Sequence, residues 1–122
     1  YVSLHRIQYE ARQLHLPRHL DRESWRIKMK LWLLRPVKNL PKGDDPWTPW
    51  YNKTFGFVIA APTAYEARIL ADTRAGDENR GEFMGHITAH TTHPWLDATY
   101  STARVLTVPK QAGIIMKDHS AA

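Results

Sequence analysis

The chain has 122 residues, of which 43% are hydrophobic and five are Trp, and its formal net charge is +5. This length supports one domain with a single core, and the hydrophobic content is typical of a small folded domain and excludes an intrinsically disordered chain. Because the sequence contains no cysteine, disulfide scaffolds, cysteine-based zinc sites and thiol catalysis are excluded as well.

The charge pattern and the hydropathy pattern both indicate a soluble chain. Residues 1–28 carry six Lys/Arg against three Asp/Glu, and residues 29–122 carry eleven against nine. Nucleic-acid-binding domains usually concentrate their positive charge more densely. No apolar run approaches the ~20 residues of a transmembrane helix, and no signal-peptide pattern opens the chain. We therefore expect a cytoplasmic protein without a membrane partner.

The first residues have the pattern of an amphipathic helix. Apolar residues recur at three- and four-residue steps over residues 1–16, and Pro17 ends the pattern. Met29 would make a natural start for a compact domain, whereas the alternation described next continues across it. We predict an N-terminal helical extension over residues 1–28 and a single domain over residues 29–122, and whether the extension belongs to the core stays open. The apolar stripe of the helix consists of Leu4, Ile7, Ala11 and Leu14.

The segment from Trp25 to Leu34 alternates apolar and basic residues, which is the period-two signature of a β-strand. From Leu31 onwards both faces of this strand are apolar, so its second half is predicted to be the most buried part. Pro36 has no N–H to donate, which places the end of the strand at an edge or an exit of the sheet.

Residues 38–53 are predicted to be an irregular loop, because they contain three Pro and one Gly. Two interpretations of Trp47, Trp50 and Tyr51 are open. Either the rings fold back over the core, where each indole N–H needs a hydrogen-bond partner, or they form an exposed aromatic platform for a protein, a peptide, a base or a sugar.

The clearest unit of the chain is a strand followed by a capped helix. The apolar strand stops at Pro62, Thr63 stands at the N-cap, and Glu66 has the spacing of a capping box. A narrow face rich in alanine predicts a helix over residues 63–75 that lies close on a sheet, with Gly76 as a left-handed stop.

The last part of the chain contains a second long loop and two strand patterns. Residues 77–101 begin with the solvated turn DENRG and include Trp95, and residues 101–108 and 113–117 predict a hairpin. Together the elements indicate an α+β fold, with a mainly antiparallel sheet of about four strands, the central helix on one face and an N-terminal amphipathic helix. The order is ferredoxin-like or β-β-α-β-β.

Three histidines and an aspartate in the second long loop have the spacing H-x3-H-x2-H-x3-D. Two His at i and i+4 on a helix share a metal ion readily, but the Thr and Ile between them are poor helix formers and no HExxH glutamate is present. A metal ion is therefore one hypothesis and surface histidines are the other, and the sequence implies no further cofactor. The candidate ligands are His86, His90, His93 and Asp97.

Basic residues interleaved with an aromatic ring on the first strand predict an alternative function, the binding of single-stranded nucleic acid by charge and stacking. The solvent face of an edge strand has the same composition, because Lys there prevents edge-to-edge aggregation. The residues concerned are Arg26, Lys28, Lys30 and Trp32.

The function predicted first is a small non-catalytic binding or regulatory module that acts through loop aromatics on a protein partner or by self-association. Catalytic spacings are absent from the sequence, whereas apolar aromatic residues lie in its loops, and exposed aromatic patches are typical of protein interfaces. Single-stranded nucleic acid and a histidine-dependent metal site are the alternatives. The predicted partner-binding residues are Trp47, Trp50, Tyr51 and Trp95.

Overall fold

A computed structural model describes residues 28–119 of the protein. The segment around Leu31, in which apolar and basic residues alternate, forms the first strand. The helix predicted over residues 1–16 and the predicted nucleic-acid contact Arg26 lie outside these residues. No helix within the described part of the chain is long and apolar enough to cross a membrane. The strands are β1 (Lys30–Pro36), β2 (Phe57–Ala61), β3 (Glu82–Phe83), β4 (His86–Ile87) and β5 (Ser101–Leu106), and the helix α1 is Ala64–Thr73.

Strand β1 is the central strand of the main sheet, whose order is β2-β1-β5, and both neighbours run antiparallel to it. Of the two positions expected for the end of β1, an edge is excluded because β1 is central, and the strand leaves the sheet at Pro36. A strand with apolar residues on both faces is buried best in the middle of a sheet, and Leu34 is fully buried there. Pro36 is the last residue of β1, where its missing N–H interrupts no interior part of the ladder.

The α+β class and the antiparallel sheet are confirmed, with three strands in the main sheet instead of about four and a separate two-stranded sheet of β3 and β4. The strand predicted over residues 113–117 is not formed. Its side chains Ile114, Ile115 and Met116 stay exposed, so the segment gains little burial of apolar surface that would offset the entropy cost of ordering it as a strand. The choice between the ferredoxin-like and the β-β-α-β-β order stays a prediction.

Helix α1 begins where its cap predicts. Thr63 Oγ1 accepts a hydrogen bond of 3.2 Å from the Glu66 N–H, but Glu66 Oε2 is buried without a partner within residues 28–119, so only half of the capping box is formed. Gly76 is not a left-handed stop, since its φ is −90°. A Cβ at this position would lie 2.6 Å from the Asn52 carbonyl oxygen, so the glycine permits the first loop to approach the helix end.

The core lies between α1 and one face of the main sheet. Ala67 and Ala71 are both fully buried, which confirms the prediction that a narrow alanine face brings the helix close to the sheet. Trp95 lies in the same core although it belongs to a long loop. The buried cluster consists of Leu34, Trp47, Ala61, Ala67, Ala71, Trp95 and Tyr100.

The other face of the main sheet, which we call the open face, is partly apolar; Leu33 at its centre is buried, whereas residues around it are accessible. Side chains alternate between the two faces along each strand, so the neighbours of the buried Leu34 point away from α1. Leu31 and Val58 on this face are 50% and 57% exposed. The open face consists of Leu31, Leu33, Arg35, Val58, Ala60, Thr102, Arg104 and Leu106.

Candidate functional site

Two of the four predicted partner-binding residues meet in the core. The rings of Trp47 and Trp95 are nearly perpendicular, with centroids 5.3 Å apart, and Phe57 of β2 packs on Trp95 at 5.0 Å. Trp47 is 2% exposed and Trp95 is 0% exposed. Edge-to-face packing of this kind stabilises a core beyond the burial of apolar area. Both tryptophans therefore hold the long loops against the sheet.

The indole N–H groups of these rings are joined through one buried carboxylate. Trp95 Nε1 donates to Glu78 Oε2 at 2.8 Å, and the Thr54 N–H donates to Glu78 Oε1 at 3.0 Å. The Thr54 carbonyl in turn accepts from Trp47 Nε1 at 2.7 Å. Glu78 is 0% exposed, so the interpretation of DENRG as a fully solvated turn is wrong at this residue. Sequence reasoning missed it because its flanking residues are those of a polar turn.

Arg68 connects α1 to the segment that carries Trp95. Its Nη1 donates to the Trp95 carbonyl at 2.8 Å and to Ser101 Oγ at 2.7 Å, and its Nη2 donates to the Ser101 carbonyl at 3.0 Å. Burial lowers the pKa of the Arg68 guanidinium from its ordinary value, and the negative charge of Asp97 partly offsets this shift. The guanidinium thus joins α1 to the Trp95 carbonyl and to the first residue of β5.

Trp50 and Tyr51 have different surroundings although they are neighbours in the chain. Trp50 is 9% exposed and packs edge to face on Phe83, with ring centroids 5.0 Å apart. The Arg80 guanidinium lies 5.2 Å from the Trp50 ring, which is a cation–π contact. Tyr51 is fully exposed. Of the four predicted residues, only Tyr51 presents its whole ring to solvent among the residues that the structure describes.

A small hairpin adds exposed apolar side chains near these rings. Met84 and Gly85 connect β3 to β4 with φ angles of 51° and 80°, and two positive φ angles in a two-residue loop are the signature of a type I′ turn. Met84 is 83% exposed and Ile87 is 62% exposed. The sequence analysis missed this hairpin because Met rarely adopts a positive φ. We call the set Tyr51, Phe83, Met84 and Ile87 the loop surface.

A carboxylate also joins the first loop to the segment after the hairpin. Asp44 Oδ1 accepts from the Tyr100 hydroxyl at 2.7 Å and from the His90 N–H at 2.9 Å. The hydrogen bond from the His90 backbone lowers the pKa of Asp44, and the bond from Tyr100 lowers it further. The same bond raises the pKa of Tyr100. These bonds fix the loop that precedes Trp47 to the segment that follows the hairpin.

The substitution Tyr100→Phe is expected to destabilise the protein more at neutral pH than in acid. A carboxylate whose pKa is lowered by folding stabilises the folded state above its unfolded pKa of about 3.9, and this stability is lost as the pH falls through the folded pKa. Without the hydroxyl, the pKa of Asp44 moves towards its ordinary value. The free energy of unfolding, measured with urea at pH values from neutral to below the folded pKa of Asp44, tests this. The control is Tyr65→Phe on the exposed face of α1. A pH-independent difference between Tyr100→Phe and the native chain would contradict the assignment.

The predicted metal ligands do not converge. Within residues 28–119 no group of three His, Cys, Asp or Glu side chains has an arrangement that would hold a metal ion. His93 Nδ1 lies 2.9 Å from Asp72 Oδ1 on α1, and Asp97 Oδ1 accepts from the Thr99 N–H at 2.8 Å. His86 lies on β4, so the helix that would bring it next to His90 is not present.

The predicted nucleic-acid residues that the structure describes are divided between solvent and core. Lys28 and Lys30 are exposed. Trp32 is half-buried, packs against the core, and donates its indole N–H to the Ala61 carbonyl at 2.9 Å. Its ring is therefore not a free stacking platform.

The described residues thus offer two accessible surfaces, the loop surface and the open face, and neither coincides with the full set of predicted site residues. The buried Trp pair and the Glu78 carboxylate form the frame that positions the loops. Comparison of the chain with family models, with curated proteins and with solved structures found no match, so the function has to be inferred from these surfaces.

Proposed function

We propose that the protein is a small non-catalytic binding module that engages a protein partner through the loop surface. The observation that supports this most directly is the exposed Met84, which stands at a positive φ of 51° at the tip of an ordered hairpin. A side chain in the left-handed region costs on the order of 1–2 kcal/mol relative to glycine. A methionine that is both strained and exposed contributes nothing to the core, which favours a contact role.

The frame beneath the tip supports the proposal because it is held on several sides. Trp50 packs on Phe83, and the Thr88 carbonyl accepts from the Asp45 N–H at 2.8 Å. The Thr88 N–H in turn donates to the Gly81 carbonyl at 3.0 Å. A fixed apolar projection loses little conformational entropy when it enters an apolar pocket of a partner. A small loss of conformational entropy on binding is expected of a residue that anchors an interface.

The charges near the tip favour a protein over a membrane. Glu82 and His86 flank the turn, and Arg80 is engaged by Trp50 and lies 3.8 Å from the Asp77 carboxylate. Peripheral attachment to anionic lipid uses clusters of Lys and Arg around an apolar anchor. The loop surface has one acidic residue and one histidine beside it instead.

The substitution Met84→Gly is expected to weaken partner binding while leaving the fold as stable as the native chain or slightly more stable. Glycine adopts a positive φ without strain, so loss of binding cannot be ascribed to unfolding. The measurement is photo-crosslinking in the native host from a benzoylphenylalanine placed at position 84, followed by affinity of the purified partner for the glycine variant. We expect a discrete adduct and a loss of about tenfold or more in affinity.

The matched control is position 108, because Val108 is also apolar and is 94% exposed. A crosslinker there is expected to give no discrete adduct, and Val108→Gly is expected to leave the affinity unchanged. Equal adduct yields from positions 84 and 108 would overturn the proposal. Recovery of the chain on anionic vesicles that depends on Met84 would also overturn it, in favour of a membrane contact.

A further inference from the structure

The open face contains a groove that combines an apolar floor with a basic rim. Leu33 of β1 and Phe55, which precedes β2, form the floor, and Arg35, Lys38 and Arg104 stand around it. Leu33 is opposite Val58 on one neighbouring strand and opposite Arg104 on the other. This basic groove shares no residue with the loop surface.

Gly56, which directly precedes β2, leaves room for the Arg35 side chain at the groove. A Cβ on Gly56 would lie 3.1 Å from Arg35 Cδ and 3.5 Å from Arg35 Nη1. The Arg35 side chain therefore passes close to the Gly56 backbone. Lys53 adds a further cation, with its Nζ 4.8 Å from the centroid of the Phe55 ring.

The C-terminal part of the chain already brings a carboxylate to this rim. Asp118 Oδ2 lies 3.6 Å from Arg35 Nη1, and both side chains remain partly exposed. The preceding Ile114, Ile115 and Met116 are also exposed, at 82%, 52% and 47%. An exposed ion pair of this length stabilises little, so a stronger ligand would displace it.

We propose that the basic groove binds an extended acidic and apolar segment of a protein partner, and that Asp118 occupies the place of the partner's carboxylate. An acidic side chain of the segment pairs with Arg35 and Arg104, and the aliphatic side chains two residues away, on the same face of the segment, cover Leu31 and Val58 beside the buried Leu33. The arginine fork binds a carboxylate with two parallel hydrogen bonds, which gives the contact direction as well as strength. This second interaction surface does not depend on the loop surface.

The composition of the groove favours a peptide over single-stranded nucleic acid. Nucleic-acid platforms stack successive bases on several aromatic faces. Phe55 is the one aromatic ring among the groove residues that the structure describes, and Lys53 lies over it. The aliphatic floor instead matches the side chains of an extended polypeptide.

The test uses the full chain and a short fluorescein-labelled peptide in which Ile and Asp alternate at every second position with Ser between them, so that both lie on one face of the extended peptide. Fluorescence anisotropy at neutral pH and about 0.15 M salt is expected to show saturable binding. Arg35→Glu is expected to lower the affinity about tenfold or more, and Asp118→Asn is expected to raise it several-fold by removing the internal competitor. A peptide with Lys in place of Asp is expected not to bind.

The matched control is Lys42→Glu, which changes the charge by the same amount at an exposed residue that does not line the groove. Equal losses in Arg35→Glu and Lys42→Glu would overturn the proposal, because they would indicate unspecific attraction. An oligo(dT) of similar length that binds more tightly than the peptide and depends on Arg35 would overturn it in favour of nucleic acid. Unchanged affinity in Asp118→Asn would overturn the role of Asp118.

Met84→Gly is expected to leave peptide binding unchanged, which separates this result from the outcome at the loop surface.

Discussion

Replacement of Trp95 by alanine is expected to lower the free energy of unfolding by about 3–5 kcal/mol. The ring is fully buried and packs on Trp47 and Phe57, so its removal leaves a large cavity in the only core cluster that the described residues form. The substitution also leaves the Glu78 carboxylate without its indole donor. Since small domains are stable by about 5–15 kcal/mol, much of the folded population should be lost on heating to modest temperatures.

Chemical unfolding followed by circular dichroism measures this effect. The matched control is Tyr51→Ala, which removes another aromatic ring from the long loops but one that is fully exposed, and it is expected to change the stability by less than about 0.5 kcal/mol. Trp95→Phe is expected to fall between them, because a ring remains but the N–H is lost. A cost below about 1 kcal/mol for Trp95→Ala would mean that the ring is not part of the core.

Replacement of Glu78 by leucine is expected to cost about 2–5 kcal/mol, although it makes the interior more apolar. The buried Trp95 Nε1 and the partly buried Thr54 N–H lose their acceptor, and an unsatisfied buried donor costs about 1–3 kcal/mol. The Thr54 peptide also positions the carbonyl that accepts from Trp47. Loss of the carboxylate is therefore expected to loosen both long loops together.

The control for this substitution is Glu82→Leu, because Glu82 is exposed on β3 and accepts no buried donor within the described residues. It is expected to change the stability by less than about 0.5 kcal/mol. Amide hydrogen exchange provides the second readout, and faster exchange at Thr54 and at the Trp95 and Trp47 indoles is expected in Glu78→Leu. Unchanged exchange at the Trp47 indole would show that the two loops are not coupled through this carboxylate.

The strand and helix around Pro62 could be predicted because their signals are local. Proline lacks an N–H, threonine caps the next turn, and alanines at helical spacing produce a narrow face, and each effect acts within a few residues. The half-formed capping box shows the limit of this reasoning. Whether Glu66 turns back to Thr63 depends on competing surroundings that the spacing alone does not describe.

The loop aromatics could not be assigned from sequence, because the partners of a tryptophan N–H are distant in the chain. Trp95 finds its acceptor 17 residues away in Glu78, and Trp47 finds its acceptor seven residues away in Thr54. The local composition of DENRG predicts a polar, exposed turn. The Glu78 carboxylate is buried only because both long loops pack against one sheet. The exposed hairpin tip was likewise missed, because Met-Gly is a weak turn signal compared with Asn-Gly.

Some features of the fold and of the candidate surfaces follow from the sequence, and others follow only from the tertiary structure. Sequence alone determined the α+β class, the position of α1 and the two-sided apolar character of β1, because hydrophobic period and backbone chemistry are properties of neighbouring residues. Only the tertiary structure decided that β1 is central, that Trp47 and Trp95 are core residues, and that Arg35, Phe55 and Arg104 line one groove. Strand order and cross-strand register bring together residues that are far apart in sequence, and the burial energy that selects them belongs to the whole core.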